Sequence, residues 1–306
     1  MGFRDIYYKQ VELLVRTIPH VATEPCFALK GGTAINLFLR DLPRLSVDID
    51  LTYLPMADRD QSLTEIDAAL RRISQKIQRI DAAIRVTPSA PATQETINKL
   101  VIRTRDNLQI KVEVTPVLRG CVYPPALMPI VEKAESLFGF VQINTLSFAD
   151  LYAGKIAAAL DRQHPRDLFD IAHLFLHEGL TENLRTALII YLISHDASPH
   201  ALLKPRLADI QQDYEQNFAG MTDEDIGLDA LLDVRLRLVH EVVAGMPEHH
   251  KKFLLSFYAR QPEWDLLDLE GASQLPAVRW RELNLDRAGS GTQEELVRKL
   301  EAVLFQ

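Results

Sequence analysis

Apolar positions recur along this chain with two periods, and the change between them divides it into two parts. Near the start, Ile6, Val11, Leu14, Val15 and Ile18 share a helical face over residues 3–18, and Pro19 predicts the end of that helix. Phe27-Ala28-Leu29 reads as a short buried strand, and Ala34, Ile35, Leu37, Phe38 and Leu39 predict a helix over 33–40. Next, Val47, Ile49 and Leu51 alternate with Ser46, Asp48 and Asp50, the pattern of a strand with one apolar and one polar face. Leu63, Ile66, Leu70, Ile73, Ile77 and Ile80 then fall at helical spacing within 60–83. Two further alternating runs, 97–105 and 108–115, flank Asp106-Asn107, a turn signal that predicts a hairpin. Residues 88–96 and the proline-rich stretch 116–146 read as connections, the second closing on a short strand near 138–143.

Beyond that point the helical period takes over. Ser147-x-x-Asp150 resembles a capping box, and Leu151 to Leu160 is apolar on nearly all sides. Pro165 and Gly179 bracket the next helix. Helices follow over 184–193, 202–217, 225–244 and 249–258, with a last one after Gly289-Ser290-Gly291-Thr292. The expected architecture is α+β: a mixed sheet with flanking helices over 1–145, then a mostly helical domain over 146–306.

Composition narrows the setting. The 306 residues are 47% hydrophobic and 25% charged, enough to build proper cores. No run approaches the ~20 apolar residues of a membrane span, which predicts a cytoplasmic protein with no membrane partner. Cys26 and Cys121 lack metal-site spacing and read as buried thiols in a reducing compartment. A net charge of −8 argues against a broadly basic nucleic-acid surface. It leaves room for a local patch, either from Arg71, Arg72, Lys76, Arg79 and Arg85 or from Lys99, Arg103, Arg105 and Lys111, although such runs are also ordinary solvated faces.

Candidate chemistry begins with Asp48 and Asp50. As strand residues two apart, their carboxylates stand ~6.5–7 Å apart on one face. Such a pair can share divalent ions ~3.5–4 Å apart, the separation used for in-line attack at phosphorus. Magnesium, a hard ion held by carboxylates and substrate phosphates, suits them, and manganese is the alternative. Taken alone they could equally be surface acids. Upstream, Gly31-Gly32 lies at a strand-to-helix turn, where glycine lets backbone N–H groups approach an anion. Thr33 adds a hydroxyl. A tight turn with no ligand is the plainer account of the glycines.

The combined pattern, Gly31-Gly32-Thr33-Ala34 followed by Arg44-x-Ser46-x-Asp48-x-Asp50-Leu51, resembles the first motif of the AbiEii/AbiGii-type nucleotidyltransferase toxins, a branch of the polymerase-beta-like nucleotidyltransferases. The resemblance implies a nucleoside triphosphate held by Lys30, Gly31, Gly32, Thr33, Arg44 and Ser46, with Asp48 and Asp50 as metal ligands. It also implies a third carboxylate on a neighbouring strand, and Gln109-Ile110-Lys111-Val112-Glu113-Val114 offers Glu113. An exposed glutamate paired with a lysine is the alternative for that residue.

The resemblance continues to about residue 175. Lys155 is the single charge in an apolar helix, so it must give up its charge or sit against an anion, unless its head snorkels to the surface. Lys155-x6-Arg162 followed by Arg166-Asp167-x-x-Asp170 is similar to the later motifs of the same family, which implies catalytic roles for Lys155, through the phosphates, and for the site-shaping Asp167, with Lys155, Arg162, Arg166 and Asp170 binding the nucleotide. Asp167 also suits the first turn of a helix on electrostatic grounds alone. His173 and His177, four apart, make a weak metal pair.

The expected reaction is transfer of a nucleoside monophosphate from a nucleoside triphosphate, with release of pyrophosphate. The family implies an RNA acceptor, most plausibly the 3′ end of tRNA, a block of translation, and a cognate antitoxin. Other readings are a small-molecule nucleotidyltransferase, a haloacid-dehalogenase-like phosphatase using Asp48 as nucleophile, and a non-catalytic nucleotide-binding regulator.

Overall fold

Seven strands form one mixed sheet in the computed structural model, which describes residues 3–80, 82–91 and 95–305. They are β1 (Phe27–Lys30), β2 (Asp48–Tyr53), β3 (Arg85–Ser89), β4 (Lys99–Arg103), β5 (Gln109–Thr115), β6 (Ala126–Pro129) and β7 (Gln142–Thr145), in the spatial order β3-β4-β5-β2-β1-β7-β6. The pairs β2–β5 and β1–β7 are parallel, and the rest are antiparallel. β2 is therefore internal, fixed by β1 on one side and β5 on the other.

Alternation decides which face is which. Ile49 and Leu51 of β2 are fully buried, as are Val112 and Val114 of β5 and Leu100 of β4. Helices α1 (Phe3–Val21) and α3 (Arg59–Ile80) pack against the sheet and each other, and α3 buries Leu63, Ile66, Leu70, Ile73 and Ile77 on one stripe. α1 runs two residues past Pro19, which in a last turn forfeits little because its missing N–H affects a single bond.

Several segments depart from the pattern-based expectation. β3 runs through Pro88, inside the stretch read as a connection; it is the sheet's outermost strand, where a proline's missing donor is tolerated. The remainder of that connection, residues 92–94, lies outside the described residues. The stretch 116–146 holds β6, a short helix α4 (Glu132–Phe138) and β7, so its strand falls at 142–145, not 138–143. Gly139 at φ 91° ends α4 and sets up the turn into β7.

The chain forms two compact units: Met1–Ser147 with Gly220–Glu224, and Phe148–Ala219 with Asp225–Gln306. The second is helical. It comprises α5 (Phe148–Arg162), α6 (Pro165–His177), α7 (Glu182–Ser194), α8 (Pro199–Leu203), α9 (Gln211–Asn217), α10 (Leu228–Val243), α11 (Glu248–Tyr258), α12 (Pro276–Arg287) and α13 (Ser290–Leu304). As its all-round apolar sequence requires, α5 is buried, packed by α6 and α7. The single helix expected over 202–217 is two, because Pro205 forces Lys204 out of helical geometry (φ −131°, ψ 66°). No helix among the described residues is long and apolar enough to cross a membrane.

Candidate active site

Because register partners point to the same side of a sheet, the strand pairing sets a row of charges across the first unit. Lys30 of β1 is paired with Asp50 of β2, Asp50 with Glu113 of β5, and Glu113 with Lys99 of β4. Neighbouring strands lie ~4.8 Å apart, so Asp50 and Glu113 are close lateral neighbours, and Asp48 stands ~6.5–7 Å along β2 on the same face. Three carboxylates from two adjacent strands are thus brought together.

Two lysines flank them. Lys99 Nζ is 2.9 Å from Glu113 Oε2. Lys30 is sequestered and donates to Thr115 Oγ1 at 2.7 Å. Burial pulls the Lys30 ammonium below its ordinary range, and the charges of Asp50 and Glu113 oppose that pull. Sequence reading assigned Lys30 to the nucleotide; its observed contacts are with the carboxylate row and Thr115. Sequence reading gave Thr115 no role and placed Lys99 only in a candidate basic patch; the register sets Lys99 beside Glu113 on this face.

The glycines have a definite reason. Gly31 has φ +73°, and a β-carbon there would lie 2.8 Å from Asp50 Oδ2. On Gly32, a β-carbon would meet Arg44 Nη2 at 2.6 Å and Ser46 Oγ at 3.0 Å. Both halves of the motif therefore fit into one another: an acid lies over the first glycine and a guanidinium over the second. The turn leads into a four-residue helix, α2 (Gly31–Ala34), which widens into a π-helical turn over Ile35–Leu39 in place of the regular helix expected. Asn36 Nδ2 holds the Gly32 carbonyl at 2.9 Å, a support that sequence reading did not single out.

Thr33 and Ser46 are buried, and their hydroxyls brace the motif. Thr33 Oγ1 donates to the Asp48 carbonyl, so the 3.0 Å contact between the two hydroxyls is Ser46 donating to Thr33. Arg44, 3% exposed, also donates from Nη1 to the Leu45 carbonyl at 2.9 Å. A strap from far along the chain completes the support. Leu45 N donates to Met221 O at 2.7 Å, Thr222 Oγ1 donates to Pro43 O at 2.8 Å, and Arg44 bridges to Thr222.

In the second unit, the anion that Lys155 requires is supplied by the chain itself. Its Nζ lies 2.9 Å from both Asp167 Oδ1 and Asp170 Oδ2, with all three side chains nearly sealed from solvent. Arg162 grips Asp167 with two bonds, Nε to Oδ2 at 2.6 Å and Nη2 to Oδ1 at 3.0 Å. Burial alone would raise the Asp167 carboxyl, but Lys155 and Arg162 outweigh it and hold it well below the usual carboxylate range. Helix α6 is capped by the neighbouring His164, whose Nδ1 accepts from the Arg166 backbone N–H at 3.1 Å. His173 and His177 lie stacked with ring centroids 6.1 Å apart, His173 packing on Phe169.

Of the basic run suggested as an RNA patch, Arg71 pairs with Asp67 at 2.6 Å, and Arg72 and Lys76 lie 2.7 and 3.5 Å from Glu24. Both cysteines are free thiols, and burial pushes Cys26 up to about 11.

The oxygen-only donor set of Asp48, Asp50 and Glu113 fits a hard divalent ion, and glycine at 31 leaves Asp50 the room such coordination needs. Among solved structures, the nucleotidyltransferase toxin MenT4 from Mycobacterium tuberculosis H37Rv is similar in fold, with a TM-score of 0.58, 16% identity, and coverage of 100% of this chain and 96% of that one. No curated protein matches by sequence. The family model described as nucleotidyl transferase AbiEii toxin, type IV toxin–antitoxin system, matches residues 12–269. The chain therefore belongs to the AbiEii toxin family and is a nucleotidyltransferase.

Proposed function

We propose that this enzyme is a metal-dependent toxin that transfers a nucleoside monophosphate to an RNA, the 3′ end of tRNA being the favoured acceptor, and so blocks translation in the cytoplasm. The observation that carries the reading is the register Asp50 to Glu113 beside Asp48, set against a glycine turn over which Arg44 lies. Asp48, Asp50 and Glu113 would hold magnesium or manganese, which supplies charge neutralisation at the phosphates and acidifies the attacking hydroxyl. The chain's own residues do the rest. Gly31 and Gly32 leave the backbone open to a close-lying phosphate, and Arg44 offers a guanidinium at the same turn. Glu113 orients the acceptor hydroxyl toward the α-phosphorus; the new P–O bond forms as the bond to the β-phosphate oxygen breaks, and pyrophosphate leaves.

On the strength of the family motif, Lys155 and Asp167 are proposed as catalytic residues, and Lys155, Arg162, Arg166 and Asp170 as nucleotide-binding ones. Within their own cluster, Asp167 and Asp170 both pair with Lys155, and Asp167 holds Arg162 in place. A cognate antitoxin is expected, as in a toxin–antitoxin pair.

The test is incubation of the purified protein with each labelled nucleoside triphosphate, total RNA and magnesium. Label on tRNA that disappears with Asp48→Asn and with chelator supports the proposal. Label on no RNA from any of the four nucleotides, with wild type equal to Asp48→Asn, overturns it. Label on a small molecule alone would replace RNA with that acceptor.

A further inference from the structure

We propose that Glu182, His249 and His250 form a binding site for a zinc-class divalent cation within the second unit. Glu182 opens α7 and the histidine pair opens α11. Glu182 Oε1 lies 3.5 Å from His249 Nε2 and 3.8 Å from His250 Nε2. One donor atom from each residue falls within 4.8 Å of the other two.

These spacings are those of ligands around a shared point. An N–H···O hydrogen bond to the carboxylate would bring a nitrogen to about 2.9 Å, and neither imidazole comes that close. A tetrahedral ion with bonds of 2.0–2.1 Å has ligand-to-ligand edges of about 3.3 Å. The two edges to Glu182 are within half an ångström of that. The third closes by rotation of His249, whose side chain is 45% exposed, against His250, which is 1% exposed and anchored. Glu182, 63% exposed, gives an ion access from solvent.

Donor chemistry sets the class of ion. Two imidazole nitrogens and one carboxylate suit zinc, and by the same rule nickel or copper, and not magnesium. The site is therefore chemically distinct from the all-oxygen set of the first unit. Two features limit its affinity. His250 Nδ1 is buried with no hydrogen-bond partner among the described residues, so the outer support that raises affinity ten- to a hundredfold is missing. The Arg185 guanidinium also acts on both Glu182 and His250. Thr186 Oγ1 lies 3.4 Å from His250 Nε2, a hydrogen-bond contact that a bound ion would replace. A bound ion would tie the starts of α7 and α11 together and, binding the folded form alone, raise the thermal midpoint.

The experiment is calorimetric titration and thermal melting of the full-length, chelator-treated protein with zinc chloride and, separately, magnesium chloride. Expected, in saturating magnesium so that the oxygen-only set of the first unit is filled, are one zinc per chain and a rise in melting temperature with zinc beyond that given by magnesium alone. His249→Ala and Glu182→Gln should each weaken zinc binding at least tenfold while melting like wild type in chelator, and Asp48→Asn should bind zinc as wild type does. Equal zinc affinity in wild type, His249→Ala and Glu182→Gln, loss of binding in Asp48→Asn alone, or no saturable binding at all would overturn the proposal.

Discussion

The carboxylate of Asp50 lies 2.8 Å from the point where a β-carbon on Gly31 would stand. The glycine and the acid are nineteen positions apart in sequence, yet each constrains the other. Gly31→Ala would suffer twice, from a left-handed φ of +73° and from collision with Asp50. Expected is a loss of about 1–3 kcal/mol in urea unfolding and, from displacement of the carboxylate, about a hundredfold slower nucleotide transfer. Transfer and stability both at wild-type level would remove the close approach from the account.

Glu113 and Lys99 separate catalysis from charge balance. Glu113→Gln keeps the shape and removes the anion, so transfer should fall by about two orders of magnitude or more with the melting temperature unchanged. Lys99→Met should leave transfer within a few-fold of wild type, because its ion pair with Glu113 is partly exposed on both sides. Steady-state kinetics on both variants decide whether the glutamate or the pair is what matters.

Lys155→Met strands two buried carboxylates, Asp167 and Asp170, without their shared cation. Removal of one partner from such a cluster costs about 3–5 kcal/mol. Asp167, held low by Lys155 and Arg162, contributes stability that is present above its ordinary carboxylate range and lost as pH falls below it. Acid titration of wild type should therefore show a loss of stability that Asp167→Asn no longer shows, monitored by circular dichroism at each pH.

A second pH effect lies at the cap of α6. Burial, aided by the charge of Arg166, lowers His164 to about 4 from an ordinary 6.5. The folded state favours the neutral ring, so its contribution is complete above pH 6.5 and is lost as pH falls from 6.5 toward 4. Allowing for partial exposure, the loss is about 1–2 kcal/mol. His164→Asn keeps a good capping acceptor for the Arg166 N–H and should flatten this part of the stability profile. An unchanged slope in that variant would place the titration elsewhere.

The sheet strands that carry chemistry were legible because alternation is local: Ile49 and Leu51 against Asp48 and Asp50, Ile110, Val112 and Val114 against Lys111 and Glu113. β3 was not, because Pro88 is acceptable only at an edge, and edge position is a property of the assembled sheet. β6, which ends on Pro129 at the opposite edge, was hidden for the same reason, whereas β7 was expected a few residues early.

By itself, the sequence determined the α+β order, the apolar helix around Lys155 and the two halves of the glycine–aspartate motif, since periodicity, turn chemistry and residue type act over a few residues. Only the tertiary structure decided what those residues touch. That Lys155 meets Asp167 and Asp170, that Arg44 lies over Gly32, and that a strap at 220–224 braces Pro43 and Leu45 depend on segments that meet through packing and register, which no local pattern encodes.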